Sequence, residues 1–134
     1  MGCLHPGQSR RATLLIRFAA LGFSREEECV LNSGVFLVRN GRASWYATVM
    51  SEDRPFVRFD PGCMTSASSQ GNEAVRMIEK RFAASRPVRI EWARGNVLIV
   101  DNWRILLGRE SSDGDDERVL LRVLTIDRWA RRTP

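Results

Sequence analysis

Residues 95–110 read GNVLIVDNWRILLGRE, and the order of residue types in this stretch decides how the chain folds. Residues 97–100 form a continuous apolar run of strand length, Asp101-Asn102 interrupts it, and Ile105, Leu106 and Leu107 resume it before Gly108-Arg109. Asx side chains bond the backbone just ahead of them, so Asp101 and Asn102 are expected to cap a turn between two strands. Upstream, Arg94-Gly95-Asn96 separates residues 97–100 from another β-type run at 88–92, which predicts a second tight hairpin. Short strands joined by tight turns point to antiparallel sheet.

Working outward, further runs of this kind lie at residues 13–20, 34–39, 44–50, 56–59 and 119–126, bounded by Gly, Pro, Asn and Ser. Asn40-Gly41 between two of them is the strongest hairpin signal, because both residues tolerate positive φ. One segment has helical spacing instead. Between residues 72 and 85, Val75, Ile78 and Phe82 form an apolar stripe flanked by Ala74 and Met77, with Asn72 available as N-cap and Pro87 closing the segment. TSASSQGN before it and SSDGDDE at 111–117 read as polar loops. The pattern predicts a mostly β fold with one or two helices, a sandwich or jelly-roll layer with the helix packed outside.

At 134 residues the chain is sized for one domain, 1–134, which can bury roughly two thirds of its unfolded surface. No stretch approaches the roughly 20 apolar residues of a membrane span, and the start MGCLHPGQSRR has no signal-peptide core, so a cytoplasmic location and no membrane partner are expected. Cys3, Cys29 and Cys63 form no CxxC pair, which argues against both a disulfide framework and a zinc knuckle. The net charge of +5 invites a nucleic-acid reading. Against it, Lys80 is the only lysine among 21 basic residues, a bias that a GC-rich coding sequence produces by itself. The arginines are also scattered, clustering only at Arg10-Arg11 and at Arg128, Arg131 and Arg132.

The stretch from Gly95 to Ile126 resembles the C-terminal part of the taurine dioxygenase-like and clavaminate synthase-like oxygenases, which use Fe(II) and 2-oxoglutarate on a double-stranded β-helix. Those proteins follow a helix and a strand with Asp-Asn-x-Arg-x-x-His-Gly-Arg, a polar loop and Arg-x-x-x-Arg. Here the corresponding residues are Asp101, Asn102, Arg104, Leu107, Gly108 and Arg109, then SSDGDDE, then Arg118 and Arg122. The resemblance implies a partial double-stranded β-helix, or jelly roll, hydroxylation of a C–H bond in a small molecule, and Fe(II) and 2-oxoglutarate as cofactors. It implies that Arg118, 11 positions after Leu107, binds the 2-oxoglutarate carboxylate, and that Arg122, 15 after it, lines the cavity as a substrate-binding residue. Two arginines four apart on a strand share a face, and an arginine fork matches a carboxylate bidentately. The competing reading is a half-exposed pair balancing Asp113, Asp115, Asp116 and Glu117. A weaker similarity, CLHPGQSRRATLLIRFAALG at 3–22, implies that the first ligand pair and the N-terminal strands lie at or before Met1.

One residue departs from the pattern. Leu107 stands where the family has its distal iron-binding histidine, and His5 is the only histidine in the chain. Iron in such enzymes takes two histidines and a carboxylate. His5 with Asp60 and Cys63 is the only remaining donor set; Asp60-Pro61-Gly62 reads better as a turn and His5 as a strand-edge residue. The expectation is no catalytic and no metal-binding residue in this chain; Leu107 marks either a lost function or a repurposed pocket, and a leucine would fit among Ile99, Ile105 and Leu120 if the cavity had collapsed into core. Two functions follow: a catalytically deficient member or fragment of the dioxygenase family, or a non-catalytic carboxylate-binding or assembly module that self-associates through an exposed sheet edge. Trp45, Trp92, Trp103 and Trp129 read as core or sheet-face anchors.

Overall fold

The computed structural model describes residues 1–8, 11–51, 56–110 and 117–124. Arg10, Asp113, Asp115, Asp116, residues 125–126, Arg128, Trp129, Arg131 and Arg132 lie outside the described residues. In chain order the elements are β1 (Gly2–His5), β2 (Thr13–Arg17), a 3-10 turn (Phe18–Leu21), α1 (Arg25–Ser33), β3 (Phe36–Asn40), β4 (Ala43–Ala47), β5 (Met64–Ser66), α2 (Ser69–Ala84), β6 (Val88–Ile90), β7 (Ile105–Arg109) and β8 (Val119–Leu121). The strands form sheets in the orders β1-β8, β6-β2-β7 and β4-β3-β5, and β1 with β8, β3 with β4 and β3 with β5 pair antiparallel. The chain is thus mostly β with two helices, as its residue pattern predicts.

These elements fall into two compact units: a larger one of residues 14–90 and 100–108, and a smaller one of residues 1–13, 91–99 and the described part of 109–134. In the larger unit Phe36, Leu31, Ile78 and Val49 are the largest fully buried side chains, joined by Ile16, Phe18, Leu21, Val38, Met64, Ala74 and Leu106. The Asn40-Gly41 hairpin forms, with Asn40 pairing Ala43 across Gly41 at φ +59°. Asp60 makes the predicted turn, its Oδ1 accepting from Gly62 N at 2.9 Å and its carbonyl from Met64 N at 2.9 Å.

Three expectations are corrected here, and the second helix is located. The run at 13–20 leaves the extended conformation at Phe18, whose N–H goes to Arg104 O at 2.8 Å; the threefold repeat of the 3-10 turn then buries both Phe18 and Leu21. The run at 56–59 forms a single bridge, Met50 to Val57, rather than a strand. Helix α1 had no apolar stripe to announce it, since it buries only Leu31, and the residues that mark it are its capping box, in which Ser24 Oγ accepts from Glu27 N and Glu27 accepts from Ser24 N. Helix α2 begins inside the expected polar loop: Ser68, not Asn72, is its N-cap, and Ser68 Oγ accepts from both Gly71 N and Val35 N at 3.0 Å. Gly71 permits that closeness, because a Cβ there would lie 2.8 Å from Val35 O and 2.6 Å from Ser66 Oγ.

In the smaller unit β1 pairs with β8 on one side, Cys3 opposite Leu120. On its other side Cys3 N donates to Asn96 O, Gly95 N to Cys3 O and Leu98 N to Met1 O, at 2.7–2.9 Å. Arg94-Gly95 does form a tight turn, Asn96 N donating to Ala93 O at 3.0 Å, but it is not the predicted hairpin, since the strand partner of residues 95–98 is the chain start. The core of this unit is small: Cys3, Ala12, Thr13 and Trp92.

Candidate functional site

Residues 101–109 run as the sequence predicts from an Asx turn into a strand. Asp101 Oδ1 accepts from Trp103 N at 3.0 Å and the Asp101 carbonyl from Ile105 N at 3.0 Å, so Asp101 caps the entry to β7. Strand alternation then sorts the side chains. Leu106 belongs to the core of the larger unit, and Gly108 shares its face, where an added Cβ would meet Phe82 Cζ at 3.0 Å. Leu107 therefore lies on the opposite face of β7, half-buried. Ile99, in the smaller unit, is 91% exposed, and its neighbour Leu98 donates its N–H to Met1 O.

Arg118 precedes β8 and is half-buried in the smaller unit. Its Nη2 donates to Thr13 Oγ1 at 3.3 Å, while its Nε is buried with no hydrogen-bond partner. No carboxylate pairs with Arg118 among the described residues; Glu117 next to it accepts from Gln8 Nε2 at 3.0 Å. Thr13 Oγ1 also accepts from Trp92 Nε1 at 2.8 Å, a buried bond. Thr13 and Trp92 were not picked out by sequence reasoning as site residues, and no local signal marks them: Thr13 lies 105 positions from Arg118 and 79 from Trp92. Arg122 lies one residue past β8 and is exposed.

The other donor residues scatter. His5 ends β1, exposed, with Nδ1 accepting from Gly7 N at 3.3 Å. Burial, and secondarily the Asp60 carboxylate, push the Cys63 thiol above its ordinary pKa, which disfavours the thiolate a metal would need. Among the described residues no group of three or more His, Cys, Asp or Glu side chains could hold a metal ion. Of the tryptophans, Trp92 is a core residue, whereas Trp45 on β4 and Trp103 are more than two fifths exposed. Trp103 stands 5.9 Å from the Phe56 ring. No helix among the described residues is long and apolar enough to cross a membrane.

No protein-family profile and no curated protein matches the sequence. Among solved structures, the chain shares its fold with part of one larger protein. It is similar to an asparagine oxygenase in complex with Fe(II), 2S,3S-3-hydroxyasparagine and succinate, with a TM-score of 0.68 and 17% identity over 87% of this chain. This chain spans 41% of the length of that one.

Proposed function

We propose that this chain is an iron-free, carboxylate-binding module built on part of an Fe(II)/2-oxoglutarate oxygenase fold. The observation that carries the reading is Arg118: a half-buried guanidinium with a buried, unpartnered Nε and no carboxylate partner among the described residues. A buried donor of this kind costs free energy unless an acceptor reaches it, and a carboxylate oxygen is the acceptor that a guanidinium edge fits best. The fold likeness supports 2-oxoglutarate or a related small dicarboxylate as the ligand, with Arg122 as a substrate-binding residue. The finer placement among taurine dioxygenase-like and clavaminate synthase-like proteins, the partial double-stranded β-helix in one domain, and a cytoplasmic location belong to the same proposal.

Iron does not fit the residues present. Leu107 offers no lone pair at the family's histidine position, and His5 is the chain's single imidazole. The chain by itself is therefore expected not to turn over. Purified protein should gain thermal stability from millimolar 2-oxoglutarate without metal, and Arg118→Ala should abolish the gain. No shift in the unsubstituted protein sinks the carboxylate reading; succinate formation with Fe(II) and 2-oxoglutarate sinks the iron-free one.

A second reading, assembly with another copy of the chain, is favoured by one feature. Leu4, Val119, Leu121, Val123 and Leu124 are all exposed on or beside the β1-β8 sheet, whose outer strand β8 has no further partner among the described residues. Exposed strands of this kind pair with other strands. Light scattering across a hundredfold concentration range should show self-association, and a monomer throughout rejects it.

A further inference from the structure

The hydroxyl of Thr13 receives two donors, Trp92 Nε1–H at 2.8 Å and Arg118 Nη2–H at 3.3 Å. A hydroxyl has two acceptor positions, so both are filled. Thr13 is 3% exposed and Trp92 6%, which means that neither can turn away without leaving a buried polar group unpaired. Trp92 thus fixes the rotamer of Thr13, and Thr13 fixes one nitrogen of Arg118. Because the partner is a neutral hydroxyl, the guanidinium charge is oriented but not neutralised. An Asp or Glu at the same place would hold it more tightly and cancel it.

We propose that Thr13, oriented by Trp92, is the positioning residue that holds Arg118 ready for a carboxylate ligand, the acceptor at Nε being supplied by that ligand. The inference rests on the carboxylate reading of Arg118 given above. It adds two residues that lie outside the Arg-x-x-x-Arg motif, and it assigns them separate tasks. Thr13 sets the fork in place, and Trp92 keeps the Thr13 oxygen pointing at it. The ligand class is a small dicarboxylate or 2-oxo acid, for which 2-oxoglutarate and succinate serve as probes.

The test uses the full chain without metal, titrated with each probe by calorimetry, while the four indole Nε1–H signals are followed by nitrogen-15 NMR. Trp92→Phe identifies the Trp92 signal. That signal should move on titration in the unsubstituted protein, because its acceptor is shared with the liganded guanidinium. Thr13→Val keeps the shape and removes the oxygen; it should weaken binding about tenfold or more, the size of one hydrogen bond to a charged group, and leave the Trp92 signal unresponsive. Thr13→Ser should restore affinity to within about threefold, since it returns the same single hydroxyl. Trp92→Phe should weaken binding by a smaller factor. Unchanged affinity in Thr13→Val, or a Thr13→Ser protein that folds and stays weak, overturns the positioning role. Should Thr13→Val fail to fold, unchanged affinity in Trp92→Phe overturns it instead. If Arg118→Ala binds as well as the unsubstituted chain, the carboxylate reading itself fails, so the two failures are told apart.

Discussion

The larger and smaller units are held by different means. In the larger, apolar side chains from α1, α2, β2, β3, β5 and β7 meet in one cluster, with Phe36, Leu31 and Val49 fully excluded from water. Among its described residues the smaller buries little beyond Cys3, Ala12 and Trp92 and relies on backbone pairing around β1 and on the bonds that converge on Thr13. Several of its apolar residues, among them Val97, Ile99 and Leu121, face water. Packing stability and polar chemistry are thus separated along the chain. The unit with the larger core contributes Leu107, which can bind nothing, and the unit with the smaller core contributes Arg118, whose Nε is buried without a hydrogen-bond partner.

This contrast can be broken by substitution. The largest effect is expected from Phe36→Ala, which should cost about 3–5 kcal/mol in urea unfolding, because the cavity left in a close-packed core adds to the lost transfer energy. A loss below about 1 kcal/mol would mean that the larger unit is not held by its core. Gly71→Ala comes next at about 1–3 kcal/mol, since the new methyl meets the Val35 carbonyl, which cannot swing aside as a side chain would. In the smaller unit Trp92→Phe should cost about 1 kcal/mol, measured the same way, as the ring still packs and only the bond to Thr13 is lost. Leu121→Ser should change stability by less than about 0.5 kcal/mol, because the side chain is already half in water. A larger loss there would show that this face is covered in the folded protein.

The smallest effect concerns pH in the larger unit. Arg81 Nη2 bonds both Glu27 oxygens, at 2.7 and 2.9 Å, and this contact, followed by the Ser24 N–H, holds the Glu27 carboxyl below its ordinary value of 4.5. A depressed carboxylate stabilises the fold above its unfolded pKa and loses that contribution as the pH falls through the folded one. Both side chains are partly solvated, so the contribution is screened. Thermal unfolding of Glu27→Gln should therefore fall below that of the unsubstituted chain at pH 7 and converge with it under acid. A constant gap at all pH values would rule out a charge effect.

Much of the architecture was legible without coordinates where short-range rules act alone. Asn40-Gly41 turns a hairpin because of its own backbone freedom, Asp60 and Asp101 close turns with their own side chains, and the Ile78 and Phe82 stripe of α2 follows from helical spacing. The Ser24 to Glu27 capping box was equally local, and went unused because α1 carries no apolar stripe. The candidate site was only half legible. Arg118 follows from the motif, and its charge needs no neighbour to be recognised. Its bond to Thr13 depends on residues far apart in the chain.

By itself, then, the order of amino acids determined the turns, the strand content, the α2 stripe and the lack of imidazoles for iron, because each depends on residue identity or on near neighbours. Tertiary structure alone decided that residues 95–98 pair with the chain start, that Ser68 caps α2 and that Trp92 and Arg118 meet on one threonine hydroxyl. The physical reason is that a hydrogen-bond donor is indifferent to sequence distance: it takes whichever acceptor the packed backbone delivers, and no local pattern encodes that delivery.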